Sequence, residues 1–289
     1  MNPKESRDVD LDELMVVRMA KEIRKGDVLV QGSFTPLGMV VCMLAKIKIG
    51  SDLLFCCGAA NVDTEAFYPI SLLASDVMAR KRSLSFRSLS EYYSSYRMRP
   101  IVEFMAPAQI DRFGNLNNSV IGEYQNPKVR LPGGAGIGDN AESVRNRLIL
   151  YNCRHSVKSF PWKVDFITGA GFLKGGASRW EQGIRSKGPV RIITNLAVLG
   201  FDAETKQMKA ETLHPGVTID ELKDSTGFDL SVKEEIEETE LPTWEDIRLI
   251  REIIDPYSIR KLEFLAGKER LEFLSELIKM EEKAILGEE

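Results

Sequence analysis

Histidine is almost missing from this chain. Its 289 residues include only His155 and His214. Cysteine is scarce too, with Cys42, Cys56, Cys57 and Cys153, and no C-x-x-C, H-E-x-x-H or H-x₃₋₅-H spacing occurs. That argues against a structural zinc site, and no metal is expected. No G-x-S-x-G elbow is present to seat a serine nucleophile. No apolar run reaches the roughly 18 residues that a membrane span needs. The opening Met1-Asn2-Pro3-Lys4-Glu5-Ser6 has no apolar signal core. There is no basic excess either: 39 basic against 43 acidic residues leave a net charge of −4. A nucleic-acid-coating role is therefore disfavoured, and neither nucleic acid nor membrane is expected as a partner. Without a signal segment, the cysteines read as free thiols in a reducing cytoplasm.

What is there is ordinary globular material, 43% apolar and 28% charged, enough for one large or two modest domains. Asp8-Val-Asp-Leu-Asp-Glu opens an amphipathic helix that stops near Lys25-Gly26. Asp27-Val-Leu-Val predicts a short buried strand, with Gly32-Ser33 as a tight exit. Pro36 starts a helix running to Ile49-Gly50, and Leu53–Cys57 is a second apolar strand ending at Gly58. Strand–helix–strand at this spacing predicts an α/β fold with an open, largely parallel sheet flanked by helices. Such sheets place their sites beyond the carboxyl ends of the strands, here Gly32-Ser33 and Cys56-Cys57-Gly58. Leu148–Asn152, Val164–Thr168 and Val190–Asn195 are further strand candidates. Ala197–Glu211 reads as a β hairpin turning at Asp202–Thr205, and Thr218 caps a helix. Residues 1–260 form the main domain in this reading. Residues 261–289 form a charged, amphipathic C-terminal helical extension, either solvated or docking a partner.

Two clusters are candidates for chemistry. Gly133-Gly134-Ala135-Gly136 belongs to the densest glycine run, whose backbone amides can cradle an anion, with Lys128 and Arg130 beside it. From Gly136 the loose G-x-G-x-x-A pattern fits through Ala141, but no apolar strand leads into it, so plain turn chemistry stays open. Cys56-Cys57 is either a pair of buried thiols closing a strand or a thiol facing a site. His214 reads as a turn stabiliser and His155 as an exposed ring. Glu65 and Glu103 read as surface or hinge carboxylates.

Several stretches, in order, resemble the B (β) subunit of glutaconate CoA-transferase-type enzymes among the family I CoA-transferases. They are Ala108-Gln-Ile-Asp-Arg-Phe-Gly-Asn-Leu-Asn, Ile121–Arg130, Gly133–Gly138, Val164–Thr168, Thr226-Gly-Phe-Asp-Leu and Ile247–Pro256. The resemblance implies an open α/β CoA-transferase fold, a homologous A-type CoA-transferase chain as partner in a heterotetramer, and an acyl-CoA substrate. It implies no bound cofactor beyond the coenzyme A of that substrate. The family's nucleophile is a glutamate ending the second strand just before a glycine, and Cys56 stands at the corresponding position. A cysteine cannot replace it in CoA transfer, since joining its sulfur to that of CoA would be an oxidation.

Two branches resembling this chain lack that glutamate as well. Methylglutaconyl-CoA decarboxylases carry a cysteine before the glycine, similar to Cys56-Cys57-Gly58. Ring-opening CoA-thioester hydrolases keep the catalytic acid on the A-type chain, and their B-type chain is similar to Leu213–Thr218 and Thr194–Asp202. The expected activity is decarboxylation of a glutaconyl-CoA-type thioester, with Cys56 in the site and Gly133, Gly134, Ala135 and Gly136 binding substrate or CoA. Ring-opening hydrolysis, true CoA transfer through a carboxylate such as Glu65, and a non-catalytic structural role remain as alternatives.

Overall fold

The computed structural model describes residues 9–31, 35–58, 61–72, 77–88, 90–91, 94, 101–142 and 146–286. It divides into two compact units, one of residues 1–99 with 240–289 and the other of residues 100–239.

In the first unit, α1 (Leu11–Ala20) precedes β1 (Val28–Gln31), α2 (Pro36–Ile49) and β2 (Leu54–Cys57). The chain continues through β3 (Asn61–Thr64), α3 (Val77–Lys81) and β4 (Ser83–Phe86). β1 and β2 run parallel with Val30 opposite Cys56, and β3 and β4 add antiparallel neighbours. The expected strand–helix–strand unit is therefore present; its exit at Gly32-Ser33 lies outside the described residues. α2 is apolar nearly all round, so it is buried continuously from Leu37 to Lys46. Its first-turn amide, Leu37 N, donates to Glu263 Oε1 at 2.7 Å. A carboxylate from the far end of the sequence thus does the capping that Thr35 does not.

The same terminal segment neutralises α1. Asp12 and Glu13 look like ordinary first-turn acids, yet both are buried. Arg260, also buried, pairs with Asp12, with Glu13 (3.4 Å) and with Asp255 (2.9 Å), while Arg251 reaches Glu13 at 2.5 Å. Residues 261–286 belong to this unit as well. In the C-terminal helix Gly267–Leu286, Leu277 is buried, Leu271 and Ile278 are exposed, and Glu281 accepts from Leu72 N at 2.7 Å.

The second unit opens with β5 (Ile101–Met105) and four short strands, β6 (Gln109–Ile110), β7 (Leu116–Asn117), β8 (Val120–Gly122) and β9 (Pro127–Arg130). Then come α4 (Ile137–Glu142), β10 (Asn146–Asn152), α5 (Ser178–Glu181) and β11 (Pro189–Thr194). β12 (Ala197–Phe201), β13 (Met208–Leu213), α6 (Ile219–Asp224) and β14 (Glu237–Glu238) complete it. β10 lies between β5 and β11, parallel to both. β12 and β13 form the expected hairpin, whose turn is tied by Asp202 Oδ1 accepting from Glu204 N and Thr205 N. Thr218 caps α6 by accepting from Glu221 N at 3.1 Å. The fold class read from the sequence is the one observed. Val164–Thr168 is a correction. It forms no strand, because Asp165 folds its carboxylate back onto Gln109 Nε2 (3.1 Å) and Gly122 N (3.0 Å).

The Gln109–Asn117 stretch is a polar scaffold. Asp111 accepts from Phe113 N, Asn115 N and Asn115 Nδ2. Asn115 Oδ1 in turn accepts from Gly171 N and Leu173 N, both at 3.0 Å. Asn117 Nδ2 donates to Gln109 Oε1 (2.7 Å) and Val120 O (2.6 Å). Gly114 sits at φ +68°, and a Cβ on Gly171 would overlap its carbonyl, so both positions require glycine. Buried polar atoms left unpaired cost about 1–3 kcal/mol each. Asn115→Ala orphans two amides and removes a donor to the Asp111 carboxylate, so a loss of about 2–4 kcal/mol is expected in denaturant unfolding. A loss below about 0.5 kcal/mol would show that water replaces the side chain.

Candidate active site

Strand geometry separates the two adjacent cysteines. Side chains alternate along β2, so Phe55 and Cys57 share the face that α2 covers and Cys56 takes the other. Cys57 Sγ lies 3.9 Å from Gln31 Oε1 and electrostatically close to Cys42 of α2. Asp63, on β3, reaches the α2 side as well, where its Oδ1 is 3.2 Å from Lys46 Nζ. Lys46 Nζ also donates to Leu53 O at 2.5 Å. Cys57 is thus a packing thiol, and burial pushes the Cys42 thiol well above its usual range.

Cys56 sits in a different setting near the carboxyl end of β2, two residues before Gly58 (φ +56°). It is 8% exposed. Burial raises its pKa. The backbone N–H of Asp63 and the charges of Arg87 and Lys46 act in the opposite direction without overcoming that rise. The group at this position is therefore a neutral thiol at pH 7. It polarises its surroundings weakly and carries no negative charge.

Glu65 lies elsewhere. β3 runs antiparallel to β2 with Asn61 opposite Cys57, so moving from Asn61 to Glu65 leads back toward the amino end of β2. At about 3.3 Å per residue, Glu65 lies about 10 Å along the strand from the row of Cys56. Its side chain is exposed and its N–H donates to Arg82 O at 3.0 Å.

The glycine loop belongs to the second unit. Gly133 (φ +101°), Ala135 (φ +43°) and Gly136 (φ +86°) are all left-handed, which turns the chain sharply into α4. The Gly133 amide is committed to Asn118 O at 2.8 Å, and Gly134 O accepts from Ile137 N at 2.7 Å. The loop's own donors for a ligand are therefore those of Gly134, Ala135 and Gly136. Cys56 and the loop fall in different units.

Three buried titratable groups extend or correct the sequence reading. His155 is not exposed: its ring stacks on Phe160 at 3.8 Å, with Nδ1 3.2 Å from Thr194 Oγ1 and Nε2 3.1 Å from Thr226 Oγ1. Burial pushes its pKa down to about 3, so it stays neutral. The His214 ring is buried and reaches beyond its own turn, with Nδ1 2.9 Å from Thr239 Oγ1 and Nε2 donating to Thr194 O at 2.7 Å. Glu103 is neither surface nor hinge. It is buried on β5 beneath α4, where Asn140 Nδ2 donates to its Oε1 at 3.0 Å. Burial pushes its pKa up to about 8, only partly offset by that hydrogen bond. No signal in the sequence marks it, since an isolated Glu within Ile101-Val-Glu-Phe-Met looks like the solvent face of a strand. Among the described residues no group of three or more His, Cys, Asp or Glu is placed to hold a metal ion. Among them, too, no helix is long and apolar enough to cross a membrane.

Residues 13–225 match the family model described as Coenzyme A transferase. The chain belongs to the coenzyme A transferase family. It is 40% identical over 150 residues to the B subunit of 3-oxoadipate CoA-transferase from Pseudomonas knackmussii, an alignment covering 52% of this chain and 57% of that relative. It is 30% identical over 253 residues to the B subunit of glutaconate CoA-transferase from Acidaminococcus fermentans, covering 84% and 92% of the two chains. The crystal structure of the glutaconate enzyme superposes with a TM-score of 0.76 over 90% of this chain and 99% of that one. The cholesterol ring-cleaving hydrolase IpdB subunit of Mycobacterium tuberculosis is 27% identical over 87% of this chain and 97% of its own. The decarboxylase AibA/AibB superposes with a TM-score of 0.76 at 24% identity, over 90% of this chain and 100% of that one, a likeness of fold. These relatives are chains of enzymes, and their reactions differ.

Glu103 yields a pH test. In the unfolded chain its carboxyl ionises above about 4.5, whereas the folded protein keeps the proton up to about 8. Between those values the folded state binds the extra proton, so this residue's contribution to stability falls as pH rises. Glu103→Gln is expected to match the wild type near pH 4 and to exceed it in unfolding free energy at pH 8. Equal pH slopes for the two proteins would show that Glu103 ionises alike in both states.

Proposed function

We propose that this chain is the B-type component of a heteromeric enzyme acting on short acyl-CoA thioesters, completed by a homologous A-type chain. Its reaction in this reading is the decarboxylation of a glutaconyl-CoA-type unsaturated dicarboxylyl-CoA. The observation that carries it is the neutral Cys56 thiol where the resemblance to CoA-transferases puts a nucleophilic glutamate. The exposed Glu65, toward the other end of the strand, supports it by offering no substitute nucleophile there.

The chemistry follows from charge. Heterolysis of the bond to the distal carboxylate releases carbon dioxide and leaves an electron pair delocalised as a dienolate onto the thioester oxygen. A proton from water then completes the product. A glutamate in the site would repel the departing carboxylate, whereas an uncharged thiol does not. The oxyanion needs preorganised donors, each worth about 3–4 kcal/mol. We assign the amides of Gly134, Ala135 and Gly136 to substrate or CoA binding, with Gly133 setting the turn that presents them. Beyond the coenzyme A of the substrate no cofactor is invoked, and four buried cysteines outside any disulfide suit a reducing cytoplasm.

Ring-opening hydrolysis is the second reading, favoured by the near full-length match to the IpdB chain of a hydrolase. The deciding experiment is co-expression with the A-type partner. The complex is assayed on 3-methylglutaconyl-CoA and glutaconyl-CoA for carbon dioxide, free CoA and CoA exchange. Carbon dioxide release without CoA exchange is expected. Release of free CoA alone would establish thioester hydrolysis instead, cleavage of the ring of a cyclic acyl-CoA would establish the second reading, and exchange would restore the transferase. Cys56→Ala is expected to lower kcat/KM by about 10²-fold. Unchanged turnover in that variant would make the chain a silent member of the complex.

A further inference from the structure

Cys56 has one cationic neighbour that neither its own strand nor α2 supplies. Across the sheet Cys57 pairs with Asn61 and Asn61 with Phe86, while Val62 pairs with Ser85. One step along, Cys56, Val62 and Ser85 lie in a row on the face away from α2. The contact between Thr64 Oγ1 and Ser83 Oγ (2.8 Å) fits the same alternation. Arg87 follows Phe86 directly, so the alternation puts it on the Cys56 face, beyond the strand end where Gly58 turns. It is exposed, and its charge is near enough to act on the Cys56 thiol and on the carboxylate of Glu91. Lys46 also acts on that thiol, but from the α2 side, where Leu53 O and Asp63 hold it.

We propose that Arg87 captures the distal carboxylate of dicarboxylyl-CoA substrates and so determines which acyl groups enter this site. The inference rests on the reading of Cys56 as an active-site residue. A guanidinium matches a carboxylate in shape and charge better than an ammonium does. Its exposure limits its role to capture. A tight pair in the transition state would hold back the carboxylate that must leave, whereas a screened pair at the rim steers and binds. Arg87 therefore acts on KM rather than on kcat.

The test uses the complex with the A-type partner and two saturated probes that cannot lose carbon dioxide into a dienolate, glutaryl-CoA with a distal carboxylate and butyryl-CoA without one. Calorimetry on Arg87→Gln is expected to show glutaryl-CoA binding weakened about 10-fold and butyryl-CoA binding unchanged. Arg87→Lys should recover part of the loss, and the wild-type preference should shrink as salt rises. KM for the reacting substrate should rise with kcat held within about 2-fold. Equal changes for both probes, or none for either, would overturn the assignment. Because neither probe can decarboxylate, their binding decides Arg87 whether or not the complex releases carbon dioxide from the unsaturated substrates. Decarboxylation without discrimination by Arg87 would overturn this inference alone.

Discussion

Two acids in the first turn of α1 must be kept neutralised away from water, and that requirement organises the first unit. Asp12 and Glu13 are buried, and burial of a carboxylate costs several kcal/mol unless partners surround it. The partners come from the other end of the chain, Arg251 and Arg260, with Asp255 fixing Arg260 by accepting from its backbone N–H (3.1 Å) and from Nη1 (2.9 Å). Breaking one member would leave a buried charge uncompensated, so the network holds α1 and the segment after residue 240 in one arrangement. Glu263 then caps α2, and α2 backs the strand that ends beside Cys56. A chain of contacts thus runs from a buried guanidinium to the position of the candidate chemistry.

That position owes its character to alternation. Cys57 and Cys56 are neighbours in sequence, yet the pleat sends one toward Gln31 and Cys42 and the other toward the face shared with Ser85. The same rule keeps Asp63 on the α2 side, paired with Lys46, so its charge, which helps raise the Cys56 pKa, is partly compensated. Antiparallel pairing of β3 moves Glu65 toward the far end. Three acidic or nucleophilic side chains within ten residues are therefore sorted by backbone geometry alone, leaving a neutral thiol at the strand end.

The elements that sequence reveals best are those whose signal is local. Pro36 and the apolar run behind it mark α2, and Thr218 with its first-turn acids marks α6. Asp202 with Thr205 marks the hairpin turn, and these last two satisfy their own local backbone. Val164–Thr168 misleads because its β-branched, apolar character speaks for a strand while Asp165 is spent on contacts 43 and 56 residues away. The burial of Asp12, Glu13, Glu103 and His155 is invisible for the same reason. Each depends on partners distant in sequence, and an isolated charge reads as a solvent face until the partner is known. The position of Cys56 is legible in the strand that ends at Gly58; which face its sulfur takes requires the register.

The stretches that make the family recognisable are mostly scaffold. Gln109, Asp111, Asn115 and Asn117 tie the turns of the second unit. Thr226 holds the His155 ring, Gly227 donates to Phe160 O, and Asp255 fixes Arg260. None of these side chains needs to touch an acyl group for the fold to form. The strand end is different: in the reading proposed above, a glutamate there would suit acyl and CoA transfer, whereas a thiol would suit chemistry in which a negative group must depart. The hydrogen bonds of the buried polar scaffold run through other side chains, and the backbone N–H of Asp63 acts on the Cys56 thiol. Relatives with one architecture carry differing reactions, so the scaffold by itself does not fix the chemistry.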